Sequence, residues 1–347
     1  MTFELHATAA DDALLRDSAV GSATVGLDGL LADRGHRARR VRVPGTDVAE
    51  GFRWRLRDDW SQTWWPQGIA VGDHGRVPVA ITSWYAQPRR GTEMGARISV
   101  VNLSDPRRPR YHHVLLVAPR RLDDRVGFDP VRVHAGGIVW AGDRLLVAAT
   151  RGGIREFRLG DIMRTPSRGL LRRGSGPFGY RYLLPESGSF APQTQEKGRM
   201  RYSFIALEHG ASDGGGDIRL VGGEYSTGQR ARLARMRVID GGTVIDESHV
   251  PAIPQMQGAV LHDGTWFVTA SRGDKLGGDL WVGTPGRMVR RQHALPPGPE
   301  DLAVWPERRQ LWSVTEFPGK RWVFAVDLDQ PGATADDRRS RSAAASS

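Results

Sequence analysis

Apolar and polar positions along this chain fall into short runs closed by glycine, proline or aspartate. That rhythm predicts brief β-strands joined by tight turns rather than helices. One form returns. Residues 64–71 read WWPQGIAV, an aromatic, turn-prone start followed by a short apolar strand, and similar stretches stand at 133–140 (VHAGGIVW), 256–261 (MQGAVL) and 299–305 (PEDLAVW). A second strand follows each copy after a polar turn. A strand-turn-strand unit that recurs is a repeat, and the repeat sets the architecture.

Repeat one places strands at 68–71, 79–85, 97–103 and 111–117, and repeat two at 137–140, 144–150, 154–159 and 180–184. Repeat three has its second strand at 202–208, its third at 217–225 and its fourth near 244–250, so its inner strand is expected within 188–199. Repeat four reads 258–261, 265–271, 279–282 and 291–295. Repeat five reads 301–305, 310–316 and 321–328, then gives way to a small, charged segment that cannot bury a face. Its missing fourth strand is expected from 41–43, which precedes repeat one as each fourth strand precedes the next repeat. The whole is an all-β chain: a five-bladed β-propeller of four-stranded antiparallel blades, closed by an N-terminal strand. Six blades is the alternative, if 178–200 holds a divergent blade. The expected division is a weakly ordered extension at 1–38, with a short helix within 13–31, then the propeller at 39–328 and a disordered tail at 329–347.

In this repeated strand order the chain resembles the β-propeller superfamily over roughly residues 40–328. The resemblance is architectural. No WD, kelch or Asp-box pattern accompanies it, and its arginine bias is like that of actinobacterial-type propeller proteins.

Composition narrows the chemistry. The 347 residues include 43 Gly and 21 Pro, which suits many turns, and no cysteine, which removes disulfides, zinc-thiolate sites and a thiol nucleophile. Of the 49 basic residues only Lys197, Lys275 and Lys320 are lysine. A net charge of +10 built from scattered arginine reads as solvated strand faces rather than a nucleic-acid surface. No apolar run is long enough to span a membrane as a helix. The N-terminus lacks the pattern of a secretory signal, so a cytoplasmic location is the default, or secretion if the start lies elsewhere. Neither nucleic acid nor membrane is an expected partner; a small-molecule ligand and a monomeric chain are.

In a propeller, the starts of the inner strands and the turns after the second strands surround one mouth of the channel. The first ring then holds Trp64, Trp65, Gln67, His134, Gln257 and Glu300, and the second Trp84, Tyr85, Arg151, Glu208, His209, Arg272 and Glu316. Aromatic walls with a few converging polar groups suit a small-molecule site. His134, beside a glycine pair, is the first candidate for acid–base work, opposite Glu300 or Glu208. It could equally bond a neighbouring blade's backbone. Arg151 and Arg272 could hold a carboxylate, phosphate or developing oxyanion, or form rim salt bridges to Glu208 or Glu316. Gln67, Gln257 and Glu300 share one repeat position. They could bond between blades, or supply oxygens to a calcium ion, although no cofactor is expected. His112 and His113 point to opposite faces of a strand and make a poor metal pair, as do Asp58 and Asp59 if extended. Trp140, Trp266, Trp305, Trp312 and Trp322 are mid-strand and expected in inter-blade packing.

Three functions stand open: an acid–base enzyme at the channel mouth (hydrolase, lyase, isomerase or cyclase), a non-catalytic binding scaffold, or a carbohydrate-active propeller with Glu300 and Glu208 as its carboxylates. Buried, close carboxyl groups with perturbed ionisation favour the first. A rim fully engaged in inter-blade bonds favours the second.

Overall fold

The computed structural model describes residues 4–11, 13–14, 23–87, 94–123, 126–166, 177–193, 199–209 and 217–329. Among them the strands pair into five antiparallel sets of four. The first is Trp64–His74, Val77–Ala86, Ala96–Asn102 and Arg110–Arg121. The second is Ile138–Ala141, Arg144–Ala148, Ile154–Arg158 and Tyr182–Ala191. The third is Phe204–Leu207, Ile218–Gly223, Leu233–Ile239 and Gly242–His249. The fourth is Met256–His262, Thr265–Ala270, Gly278–Thr284 and Arg287–Leu295. The fifth is Pro299–Trp305, Gln310–Thr315, Trp322–Asp327 and, from the N-terminal side, Val48–Arg53.

The first strand of each set packs against the first strand of the next, and the fifth returns to the first. A closed ring of inner strands with sheets radiating outward is a β-propeller. The core confirms the closure. Side chains alternate between the two faces of each strand, so Val79 and Ile81 join the cluster toward the second set while Ala80 joins the one toward the fifth. Leu145 and Val147 likewise face the first set, and Leu146 and Ala148 the third. The remaining two clusters lie between the third and fourth sets and between the fourth and fifth. Each seam between neighbouring blades thus has its own apolar filling.

Two expectations change. The closing strand is Val48–Arg53, not 41–43. Gly51 and Phe52 are buried against Trp322–Asp327, whereas Val41 only donates its N–H to the Gly51 carbonyl from the outer side. The alternation of 41–43 looks strand-like because Val43 turns into the core, but the chain there bonds to the closing strand rather than replacing it. In the third set the inner strand is Phe204–Leu207, one strand later than the pattern implied, because Tyr182–Ala191 is a single long outer strand of the second set.

The N-terminal segment is anchored where it is described. Leu5–Ala9 pairs with the outer strands of both the second and third sets, and the Gly26–Leu31 helix buries Leu27 and Leu30 at the edge of the first seam. Residues 1–3, 12, 15–22 and 330–347 lie outside the described residues.

Candidate active site at the channel mouth

The inner strands approach one another closely at their starts, and the repeat's glycines are what allow it. A Cβ on Gly137 would lie 2.2 Å from the Ile205 nitrogen, and one on Gly258 would lie 2.5 Å from the Asp301 Cα. The glycine pair beside His134 therefore serves the packing of neighbouring inner strands rather than a ligand. In the fifth set the same place carries Asp301. Its Oδ2 accepts from the Ile69 and Ile138 N–H groups, each at 3.3 Å, and so ties three inner strands together on the axis. Its Oδ1 is buried without a hydrogen-bond partner among the described residues. Burial raises the Asp301 carboxyl well above its usual range, against the pull of those backbone donors.

Glu300, the preceding residue, is 2% exposed and turns to the mouth. Gln257 Nε2 donates to its Oε1 at 3.0 Å, and Gln67 Nε2 donates to Glu316 Oε2 at 3.2 Å. Both amides thus span neighbouring blades. The carboxyl groups of Glu300 and Glu316 are within hydrogen-bonding reach of each other. Burial, then the neighbouring Glu316 charge, raises Glu300 well above the ordinary carboxyl range. Burial also raises Glu316, although Gln67, Glu300 and Arg321 pull the other way. Two carboxyl groups this close disfavour each other's ionisation. Glu316 is half-buried and stands nearer solvent, with Glu300 behind it.

The walls are cationic and aromatic. Arg321 is fully buried, donating from Nε to the Glu316 carbonyl at 2.6 Å and from Nη1 to the Asp58 carbonyl at 2.8 Å. Its Nη2 has no hydrogen-bond partner among the described residues. Burial lowers its guanidinium to about 10, which leaves it charged at neutral pH. Its centre lies 5.4 Å from the Trp65 ring, and Trp65 meets Phe317 edge-on. Tyr85, the cross-strand partner of Trp65, stacks on His134 at 4.2 Å. Burial, with Glu316 and Glu300, pushes the Tyr85 hydroxyl up to about 12, and it stays protonated. His134 keeps an exposed edge, yet the protein mass around it lowers its imidazole below the usual value, so it is neutral near pH 7.

Of the residues expected at this mouth, Trp65, Gln67, Tyr85, His134, Gln257, Glu300 and Glu316 are there. Glu208 and His209 are not. They follow the end of the inner strand Phe204–Leu207, so they lie at the other end of the channel, where His209 bridges to His262. Glu208 is held by Arg235 through two hydrogen bonds of 2.6 and 3.1 Å. Trp84 is fully buried beside Trp54 and His113, part of the packing rather than a binding wall. Trp64 lies 4.4 Å below the Arg97 guanidinium, facing away toward the side of the first set. Arg272 pairs with Asp279 at 3.4 Å rather than with Glu208 or Glu316. Arg151 is exposed on its turn.

Pattern reading missed Arg321 and Asp59. The one-turn helix Leu56–Asp59 puts its two aspartates on different neighbours: Asp59 Oδ1 receives the Arg321 N–H at 3.1 Å and its Oδ2 meets Arg53 at 2.5 Å, while Asp58 faces the other way. The only signal in the sequence is an acidic pair just before the first repeat, a poor metal pair if extended; the stretch is helical instead. Among the described residues no group of three or more His, Asp or Glu side chains is arranged to hold a metal ion.

No protein-family model and no curated protein matches the chain. Several solved structures are similar in chain path. A gluconolactonase from Xanthomonas campestris shares 13% identity over 85% of this chain and 89% of its own, with a TM-score of 0.38. A glutaminyl cyclase from Myxococcus xanthus shares 11% over 84% and 97%, with a TM-score of 0.36. A glycoside hydrolase shares 7% over 87% and 94%, with a TM-score of 0.45. The propeller assignment itself rests on the ring of inner strands and the filled seams.

Proposed function

We propose that the protein is an acid–base enzyme acting on a small organic substrate at the channel mouth, with Glu316 and Glu300 as its proton-sharing pair. The observation that carries this is the pair itself: two carboxyl groups on the axis, in mutual reach, both raised, one buried and one reachable. A scaffold has no need to bury two acids against each other, a costly arrangement. In a hydrolysis, ionised Glu316 takes a proton from a water whose oxygen bonds to the substrate carbonyl carbon. The proton held by Glu300 passes to the departing oxygen or nitrogen. The same two transfers serve an internal cyclisation, where a substrate hydroxyl or amine replaces the water. Trp65, Tyr85 and His134 supply the flat walls, and the Arg321 charge lies behind Glu316.

A glycosidase that works through two separate carboxylates fits less well, because those groups stand roughly 5 Å or more apart. Glu300 and Glu316 are closer, and Glu208 is at the far end of the channel. The scaffold reading keeps one observation in its favour: Gln67 and Gln257 are both engaged between blades.

The test is turnover by purified protein on a panel of lactones, esters, amides and cyclisable amines. Glu316→Gln and Glu300→Gln are each expected to lower kcat by about 100-fold or more while each variant still melts in one cooperative transition. A wild type inert on the whole panel, or variants as active as wild type, would sink the reading.

A further inference from the structure

A second concavity lies to one side of the mouth. It is a cavity of about 1220 Å³ between the first set and the Leu56–Asp59 turn, and neither Glu300 nor Glu316 lines it. Its wall carries five arginines against two aspartates, Asp33 and Asp58. Asp33 is already engaged with Arg181 at 2.6 Å. Asp58 is more heavily engaged still, accepting from the Tyr111 hydroxyl at 2.6 Å and Arg55 Nε at 2.9 Å, with His113 Nε2 at 3.1 Å. Burial alone would raise the Asp58 carboxyl, but His113, Arg97 and Tyr111 outweigh it and hold the group well below its usual range. His113 is pushed down to about 3 by burial and then by Arg97, so it is neutral, with Nδ1 free to accept from Ser99 Oγ at 2.8 Å. Both acids of the wall are therefore engaged, and among the described residues that line it arginines outnumber carboxylates.

Among the five arginines of the wall, Arg97 is the one most withdrawn from water. It is 4% exposed, clamped between Trp64 and Trp84 at 4.4 and 4.8 Å. Its Nη1 donates to the Tyr180 hydroxyl at a long 3.4 Å. Its Nη2 stands 3.6 Å from Asp58 Oδ1, in ion-pair reach but without a hydrogen bond, and Nε has no partner among the described residues. A buried guanidinium with two unfilled donors is costly unless something supplies acceptors. Stacking holds its plane, so those donors have a fixed direction, the arrangement that suits a planar or tetrahedral oxyanion. Beside it the wall is aromatic, with Trp64 and Tyr180 meeting edge-on at 6.2 Å.

We propose that this cavity binds a small organic anion, whose carboxylate or phosphate group meets Arg97 and Arg55 and whose flat apolar body lies against Trp64 and Tyr180. The cavity exceeds what a bare ion needs and leaves room for an organic body beside the anionic group. A metal ion is disfavoured by the surplus of arginine. The site is separate from the proposed acid–base pair.

Isothermal titration of the full chain at fixed ionic strength, with benzoate, phenyl phosphate and inorganic phosphate, tests this. At least one aromatic anion is expected to saturate and to bind about tenfold or more tightly than inorganic phosphate. Preference between benzoate and phenyl phosphate identifies the anionic group. Arg97→Lys should weaken that binding by about tenfold or more, since an ammonium cannot reproduce the fork. Glu316→Gln, a control in the channel mouth, should leave it unchanged. Should Arg97→Lys fail to melt cooperatively, Arg57→Gln on the same wall takes its place, with a loss of about threefold or more expected. Failure of all three anions to saturate overturns the proposal. So does equal affinity in wild type and the readable arginine variant, or binding lost in Glu316→Gln alone.

Discussion

At the scale of single residues, the channel mouth is defined by where protons are held. Glu300 has a folded-state carboxyl raised well above 4.5, its ordinary value. The folded chain therefore keeps a proton that the unfolded chain releases. That contribution to stability is complete below about pH 4.5 and is lost as pH rises through the folded value. Glu300→Gln keeps the shape of the neutral acid and cannot ionise. The variant's melting temperature minus that of wild type is expected to grow steadily above pH 4.5; a flat difference from pH 4 to 9 would show that Glu300 is not held neutral. His134 is a gentler case. Its ring makes no hydrogen bond among the described residues, and its stacking on Tyr85 is worth about 0.5–1.5 kcal/mol. His134→Ala should stay folded with a small loss of stability. In a thermal-shift screen of carboxylates, sugars and lactones it should lose any stabilisation that a mouth ligand gives wild type. An identical response in both proteins would remove His134 from the site.

Among elements, the starts of the inner strands carry both packing and chemistry. The repeat position held by Gly68, Gly137 and Gly258 lets neighbouring strands touch, and in the fifth set Asp301 sits there instead. Close approach buries Asp301 and Glu300 just before it, and burial raises both carboxyl groups. Gly137→Ala puts a methyl group into the Ile205 backbone, which cannot move like a side chain. A loss of about 1–3 kcal/mol or more is expected, read as a lower denaturation midpoint with an unchanged slope. No change would mean that the second and third sets are not seated as described. The Leu56–Asp59 turn is the other element that matters. It lies between the mouth and the side cavity, with Asp59 bound to Arg321 on one side and Asp58 bound to Arg55 and Tyr111 on the other.

For the whole molecule, stability depends on ring closure. The fifth set is completed by Val48–Arg53, so a chain beginning at Thr46 keeps its closing strand and one beginning at Trp54 does not. The first should still melt cooperatively, at a lower temperature because Leu5, Leu27, Leu30 and Val43 are gone from the core. The second should lose its cooperative transition, since the outer edge of Trp322–Asp327 is left unpaired and Phe52 is gone from the seam. Equal melting curves would place closure elsewhere.

The sequence by itself determined the strand-and-turn rhythm, the repeat, the outward radiating sheets and most of the mouth. These follow from local alternation and from a repeat position that can be counted along the chain. Where alternation failed, so did the reading. The closing strand carries Glu50 and Gly51 where an alternating strand would carry apolar residues, and the inner strand of the third set is Phe204–Leu207, which puts Glu208 and His209 at the far end of the channel. Tertiary structure alone decided which acids meet. Glu300 and Glu316 are separated by a strand pair, Asp59 and Arg321 by nearly the whole chain, and Arg97 with Asp58 by a blade's width. Proximity, burial and the ionisation that follows from them are properties of the closed ring, and no window of sequence contains them.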